Sequence, residues 1–410
     1  MPVAWGLGEN VGRIRKARNL SQEELAAAAG VAVDTVARIE RGERQTTRTS
    51  TLNKLARALG VEPSTLLGIL PPPHEPAGRD VADLRRALTA STDIPGLTDF
   101  TDLRETIPLA ELRAALNYAW QSYIAGRHSE LLHTLPILVA DARRLVHEAK
   151  GARLNTAYAV LSGAYRMGAG TAGRFGLDDL AFIAADRAIQ TARLSDDPDI
   201  GVAVSTRYLA WVLVRQGRTT EAEQVAVRMA ERVEPRMSDR HTSDRNTRAL
   251  GVFGNLLFNA ASAALRADRG ARAGELLRVA QAAAVRSGRD EVTEAGIFGP
   301  RIAAIQVVDQ AVRLGDHEEA LRMAETVPPA NGPMPAFWEA GHRIHLASAA
   351  VELRQERRAL TLLAQARDLA PDWVRYQPLG VAVMREMVDR ATRRRNEEFA
   401  ELADHYGVVA

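Results

Sequence analysis

Between Ser21 and Gly42 the chain reads SQEELAAAAGVAVDTVARIERG, and the order of residue types there leaves little freedom of fold. Ser21 and Glu24 have the spacing of a capping box, in which a hydroxyl caps the first helical turn and a carboxylate reaches back to the cap. A small residue, Ala26, follows where two helices must cross closely. Gly30 falls in the turn, where a positive φ costs glycine little. Val36 and Ile39 are spaced to face inward from a second helix. Two short helices joined at one tight turn make a helix-turn-helix, whose second helix is shaped to enter the DNA major groove.

The surrounding text extends this reading. LSQEELA at 20–26, GVAVDTVARIERG at 30–42 and TLNKLARALGV at 51–61 resemble the recurring pattern of Xre/Cro-type helix-turn-helix domains over residues 7–68. Periodicity places helices near 8–18, 22–29, 32–41, 51–59 and 63–68. Val11, Ile14 and the Arg15 stem share one side of the first. Leu25, Ala29, Val36, Ile39, Leu52, Leu55 and Leu59 are the expected core. The resemblance further implies that the glutamate of the ErG text pairs with an arginine of the first helix, and the matching residues are Glu40 and Arg15. The proline that often follows that turn is missing, and ERQTTRTS stands in its place.

Val33, Asp34 and Thr35 open the outer face of the third helix, with Arg38 one turn on, where a recognition helix meets base edges. Arg38 can make a bidentate contact to guanine, worth about 1–3 kcal/mol of discrimination. Val33 can touch a thymine methyl, and Asp34 can accept from a cytosine amine or exclude wrong bases. Ser21, Gln22, Arg41 and Arg44 are expected on phosphates, contacts that position without specifying. Arg48 is balanced evenly between such a contact and solvated surface. The expected partner is double-stranded DNA, read as a pseudo-palindromic operator by a homodimer with half-sites about 34 Å apart.

The chain has no cysteine, which excludes disulfides, zinc fingers and thiol catalysis. Residues 1–70 hold ten Arg/Lys against seven Asp/Glu, while the whole chain is only +2. A mildly basic head on a neutral body suits specific binding better than bulk phosphate neutralisation. MPVAWGLGEN lacks a signal pattern, and the apolar stretch 252–265, broken by Asn255 and Asn259, is too short to span a bilayer. The expectation is a cytoplasmic protein with no membrane partner.

The expected fold is all-α: a helix-turn-helix domain over 1–70, a proline-rich linker over 71–80, and a tetratricopeptide-like α-solenoid over 81–410. Gly126, Gly170, Gly217, Gly270 and Gly315 recur at near-regular intervals, as helix pairs of a solenoid do. Pairs begin near 108, 151, 198, 246, 290, 333 and 372, and no strand pattern is found. Within one pair, Ala222, Val225, Ala226, Met229, Ala230 and Val233 form one apolar stripe. GRTTEAE and GDHEEAL are expected to restart second helices with S/T/D-x-x-E caps. The repeat is longer than the usual tetratricopeptide length of about 34 residues. The segment 236–247 reads as a polar, mobile loop.

This architecture resembles the ligand-sensing RRNPP-type regulators. The resemblance implies dimerisation through the body and a peptide or small-molecule effector on the concave face, lined by first helices. Asn155, Arg207, Trp211, Asn255, Phe258, Asn259 and Trp338 are the candidate ligand residues, each weighed against ordinary packing. The alternative is a helical-repeat scaffold that binds a partner protein, with DNA binding secondary. Gly168, Gly170 and Gly173 form a G-x-G-x-x-G, but no βαβ unit surrounds them, so a turn between helices is expected. Glu339, His342 and His345 lack a closing metal pattern, and packing is the default. The basic run 390–398 reads as a solvated helix face. No nucleophile elbow, P-loop or Ser–His–Asp arrangement is present, so neither enzyme activity nor a cofactor is expected.

Overall fold

The computed structural model describes residues 7–17, 20–43, 49–59, 66, 78–91, 107–235, 244–389 and 397–408. The chain divides into two units, Met1–Glu75 and Pro76–Ala410. Arg44, Arg48, most of the expected fifth head helix and linker, and most of the 236–247 loop and the 390–398 basic run lie outside the described residues.

The first unit contains α1 (Leu7–Ala17), α2 (Gln22–Ala29), α3 (Val33–Glu40) and α4 (Thr49–Leu59). The capping box forms as the sequence requires: Ser21 Oγ accepts from Glu24 N–H at 3.1 Å, and the Glu24 carboxylate accepts from Ser21 N–H at 2.7 Å. Gly30 takes φ 59, and its N–H closes onto Ala26 and Ala27 carbonyls. Val11, Leu25, Val36, Ile39 and Leu55 are fully buried, with Ala26 at the crossing.

The second unit opens with α5 (Gly78–Thr89), which begins inside the segment expected as linker. Antiparallel pairs follow. They are α6 (Leu109–Ile124) with α7 (His128–Glu148), α8 (Ala152–Arg174) with α9 (Asp178–Ala192), α10 (Pro198–Arg215) with α11 (Thr219–Arg232), and α12 (Asp244–Arg266) with α13 (Gly270–Ser287). After these come α14 (Pro300–Leu314) with α15 (His317–Ala324), and α16 (Ala336–Glu352) with α17 (Glu356–Leu369). The short α18 (Pro371–Val374), α19 (Pro378–Asp389) and α20 (Glu397–His405) complete the unit. First helices pack side by side from α6 to α12, and again from α14 through α16 to α19.

The stack returns on itself. Tyr123 of α6 meets Phe337 of α16 edge-on at 5.6 Å, and Phe175 beyond α8 meets Tyr376 beyond α18 at 4.7 Å. The inner surface is therefore closed at a seam between early and late helices.

Four local expectations need correction. Gly168, Gly170 and Gly173 lie buried inside α8, not in a turn. A Cβ at these positions would come within 2.6 Å of Leu88, 2.9 Å of Tyr123 and 2.5 Å of Trp211 respectively, so the glycines permit close helix packing; the turn is at Gly176, φ 76. Second, 290–299 is not helical. Glu291–Val292 (β1) and Ile297–Phe298 (β2) form an antiparallel hairpin ahead of α14, because the β-branched Val292, Thr293 and Ile297 favour strand, Gly296 and Gly299 disfavour helix, and Pro300 starts the helix at its first position. Gly254 lets Phe298 approach α12, where a Cβ would lie 2.0 Å from the ring. Third, α11 and α15 have no side-chain cap; Arg218 and Asp316 N–H instead close back onto Leu213 and Ala311 carbonyls at 2.9 and 3.0 Å. Last, the stripe on α11 is buried at its alanines while Val225, Met229 and Val233 are only half-buried.

Candidate nucleic-acid interface and inner cavity

The third helix of the first unit is fixed from behind. Glu40, at its end, accepts from Arg15 Nε at 2.7 Å, Arg15 Nη2 at 2.9 Å and Gln22 Nε2 at 2.8 Å, while Arg15 Nη1 donates to the Leu20 carbonyl at 2.6 Å. One cluster thus ties α1, α2 and α3 together, and its hydrogen bonds hold the Arg15 guanidinium above its ordinary pKa.

With Val36 and Ile39 buried, Val33, Asp34 and Arg38 are exposed and Thr35 is half-buried. Arg38 Nε lies 3.0 Å from Asp34, one turn earlier. An exposed pair of this kind is worth about 0–1 kcal/mol, less than a bidentate guanine contact of about 1–3 kcal/mol. The pair is therefore too weak to hold Arg38 against a stronger partner. Arg41 pairs with Glu43 at 2.7 Å. One Gln22 amide hydrogen is used by Glu40, which leaves the second; Ser21 Oγ accepts from Glu24, which leaves its own hydrogen to donate.

In the second unit a cavity of about 300 Å³ opens onto the inner surface, lined mainly by first helices. Four of the chain's five tryptophans, Trp120, Trp211, Trp338 and Trp373, line it together with Tyr123, Tyr208, Phe258 and Phe337. Eight of the chain's twenty Phe, Tyr and Trp residues thus meet at one place, where they offer planar apolar walls with polar edges. Of the seven candidate ligand residues, Arg207, Trp211, Asn255, Phe258, Asn259 and Trp338 line this cavity. Asn155 does not. It is exposed near the start of α8, whereas the cavity meets the end of that helix at Arg174, roughly 28 Å away at 1.5 Å per residue.

The two asparagines serve the scaffold. Asn255 Nδ2 spends both hydrogens, on the Gly251 and Ile297 carbonyls at 3.0 and 2.8 Å, and so pins the hairpin to α12. Asn259 Nδ2 donates to the Arg207 carbonyl at 2.9 Å. The hairpin is held also by Glu294, whose carboxylate accepts from Arg166 Nε at 2.6 Å and whose carbonyl accepts from Arg207 Nη2 at 3.2 Å.

Sequence reasoning named Arg207 but missed Arg174, Asp309 and Arg313 among the cavity's charges. Asp309 Oδ1 lies 2.9 Å from His342 Nδ1, and Oδ2 lies 3.3 Å from His345 Nδ1. Arg313 can only donate, so His345 Nε2, at 3.3 Å from Arg313 Nη2, is the acceptor in that contact. Burial lowers the pKa of both His345 and Arg313. Burial alone would raise the Asp309 carboxyl, but His345, His342 and Arg313 hold it below its ordinary value. Glu339 is occupied by Arg301, at 2.7 and 3.1 Å, and by Arg343. Among the described residues no group could hold a metal ion, and no helix is long and apolar enough to cross a membrane.

The first unit is a helix-turn-helix domain of the Xre type. Residues 11–66 match the family HTH_3, Helix-turn-helix. No curated protein matches the chain. Among solved structures it is similar to PlcR of Bacillus thuringiensis in complex with the peptide PapR7 and DNA (11% identity over 88% of this chain and 93% of that one, TM-score 0.32). It is also similar to the apo competence regulator ComR from Streptococcus vestibularis (12%, 85% and 97%, 0.31). A third is ComR from S. thermophilus in complex with DNA and its signalling peptide ComS (13%, 89% and 99%, 0.29).

Proposed function

We propose that the chain is a sequence-specific DNA-binding transcriptional regulator, gated by a peptide or small molecule held in the cavity of its second unit. The observation that carries the DNA reading is the outer face of α3. Val33, Asp34, Thr35 and Arg38 lie on it at the helix's first two turns, and the Arg15–Glu40–Gln22 cluster anchors the end of the helix from the side away from Arg38. Ser21, Gln22 and Arg41 supply phosphate donors at its flanks. The gating reading rests on the cavity, which joins helices from both ends of the solenoid; a ligand touching α6, α10, α12 and α16 together favours one arrangement of the stack over another. Two copies of the head on a two-fold axis read half-sites about 34 Å apart.

In vitro selection of genomic fragments by the purified protein, beside Arg38→Ala, tests this. A two-fold-symmetric site that blurs at one base pair in the variant supports it. No enrichment at moderate salt, with and without candidate effectors, counts against it.

A further inference from the structure

Arg174, in the last turn of α8, sits against four aromatic rings. Its guanidinium lies 5.9 Å from Tyr123, 5.1 Å from Trp211, 4.9 Å from Phe337 and 5.7 Å from Trp373. Rings stabilise a cation electrostatically but accept few of its N–H groups in good geometry. Among the described residues no carboxylate pairs with Arg174, and its Nε is buried without a hydrogen-bond partner. Arg207 repeats the pattern on α10. It stacks on Tyr208 at 4.3 Å, spends Nη2 on the Glu294 carbonyl, and leaves a buried Nε unpartnered. Tyr208 Oη and Trp373 Nε1 are also buried without partners.

These four groups belong to residues lining one cavity, and every one of them is a hydrogen-bond donor. Buried donors left unmade are costly and uncommon in folded proteins. They call for an acceptor, and the two guanidinium groups call for negative charge. The cavity cannot supply it. Asp309 is the one acidic residue in its lining, and His342 and His345 already engage it.

We infer that the cavity binds an aromatic carboxylate: the carboxylate between Arg174 and Arg207, the ring against Trp211, Phe258 and Trp338. Arg207 and Trp211 are one helical turn apart and so share a face. Arg174 closes on the same indole, and Phe258 and Trp338 pack against each other at 6.3 Å as one aromatic wall. The volume of about 300 Å³ is at the small end of ligand pockets. It suits a one-ring acid, free or as the C-terminal residue of a peptide. The inference rests on the reading that this cavity holds the effector.

The test is a calorimetric titration of the full chain with phenylpropionate, its amide and the matching amine, and with N-acetylglycylphenylalanine, which carries the same end group on a peptide. The acid is expected to bind at least about tenfold more tightly than the amide, the range expected of hydrogen bonds to a charged group, and the amine more weakly still. Arg207→Met should narrow the gap between acid and amide, costing the acid far more than the amide. Arg174 is packed among four rings and its loss can disturb the fold, so Arg207→Met, with its thermal unfolding checked, carries the decision. Tighter binding of the peptide than of phenylpropionate identifies a chain terminus as the source, and the reverse identifies a free acid. An amide or amine that binds as tightly as the acid, or no acid binding at millimolar concentration, overturns the inference. Operator binding measured in the same samples separates it from the gating proposal. Acid-selective binding that leaves operator affinity unchanged upholds the cavity chemistry and removes the gate. A neutral ligand of this cavity that shifts operator affinity does the opposite.

Discussion

Arg15 and Glu40 are 25 residues apart in sequence and joined by two hydrogen bonds, of 2.7 and 2.9 Å, behind the outer face of α3. Each side chain is only 10% exposed. The pair holds the third helix from the side away from Arg38, so stability and the presentation of Arg38 share one structural support.

Removing Glu40 leaves the Arg15 charge partly buried and unpaired. Breaking a buried pair from one side costs about 3–5 kcal/mol, and the lower end applies to a pair near the surface of a small unit. Glu40→Ala should therefore shift the first denaturant transition of the full chain by about 3 kcal/mol and leave the transition of the second unit in place. Far-ultraviolet circular dichroism across a urea series reads both.

Arg38 and Arg41 should fail differently on DNA. Arg38→Ala is expected to cost about 1–3 kcal/mol on the preferred operator and to relax one base position. Arg41→Ala should weaken all sequences alike and flatten the salt dependence by about one phosphate contact. Binding across a panel of single-base operator variants distinguishes them; equal losses on every variant for both would sink the base-reading role of Arg38.

Gly173 gives a prediction whose sign is informative. In an exposed helix, Gly→Ala stabilises by about 0.8–1.0 kcal/mol. Here the new methyl meets the Trp211 ring at 2.5 Å, and overpacking of this kind costs about 1–3 kcal/mol. Thermal unfolding of Gly173→Ala should show a net loss. A gain would mean that the contact between α8 and Trp211 is loose.

His128 makes stability depend on pH. It is fully buried, and burial, with the nearby Arg174 charge, lowers its pKa from 6.5 to about 3. Between those values the unfolded chain binds a proton that the folded chain refuses, so stability falls as pH falls, by about 1.4 kcal/mol per pH unit at most. The contribution is fully present above pH ~6.5 and fully lost below pH ~3. His128→Asn, which retains a donor for the Gly126 carbonyl, should flatten this slope by one proton. Unfolding free energies of both proteins at several pH values would measure the difference.

The first unit was legible because its determinants are local. The Ser21–Glu24 spacing, Gly30 in the turn and the inward spacing of Val36 and Ile39 each act within a few residues, and backbone geometry converts such patterns directly into helix ends and faces. The helix pairs were legible for the same reason, from apolar stripes and turn glycines. The glycines of α8 misled because a glycine that permits a turn and one that permits close contact look alike in a sequence; Leu88, Tyr123 and Trp211 decided between them.

Sequence alone thus determined the helical fold, the approximate pairing of helices and the outward residues of α3, all consequences of short-range periodicity and capping. Tertiary structure alone decided the cavity. Arg174, Trp211, Phe337 and Trp373 come from four different helices and become neighbours only because Tyr123 meets Phe337 and Phe175 meets Tyr376 across the seam. Asn155 and Arg174 share a helix yet not a site, since the length of α8 separates them. Which charges find partners and which are left as unpaired donors depends on that closure, and closure is set by packing between residues some two hundred positions apart, where no local pattern in the chain can act.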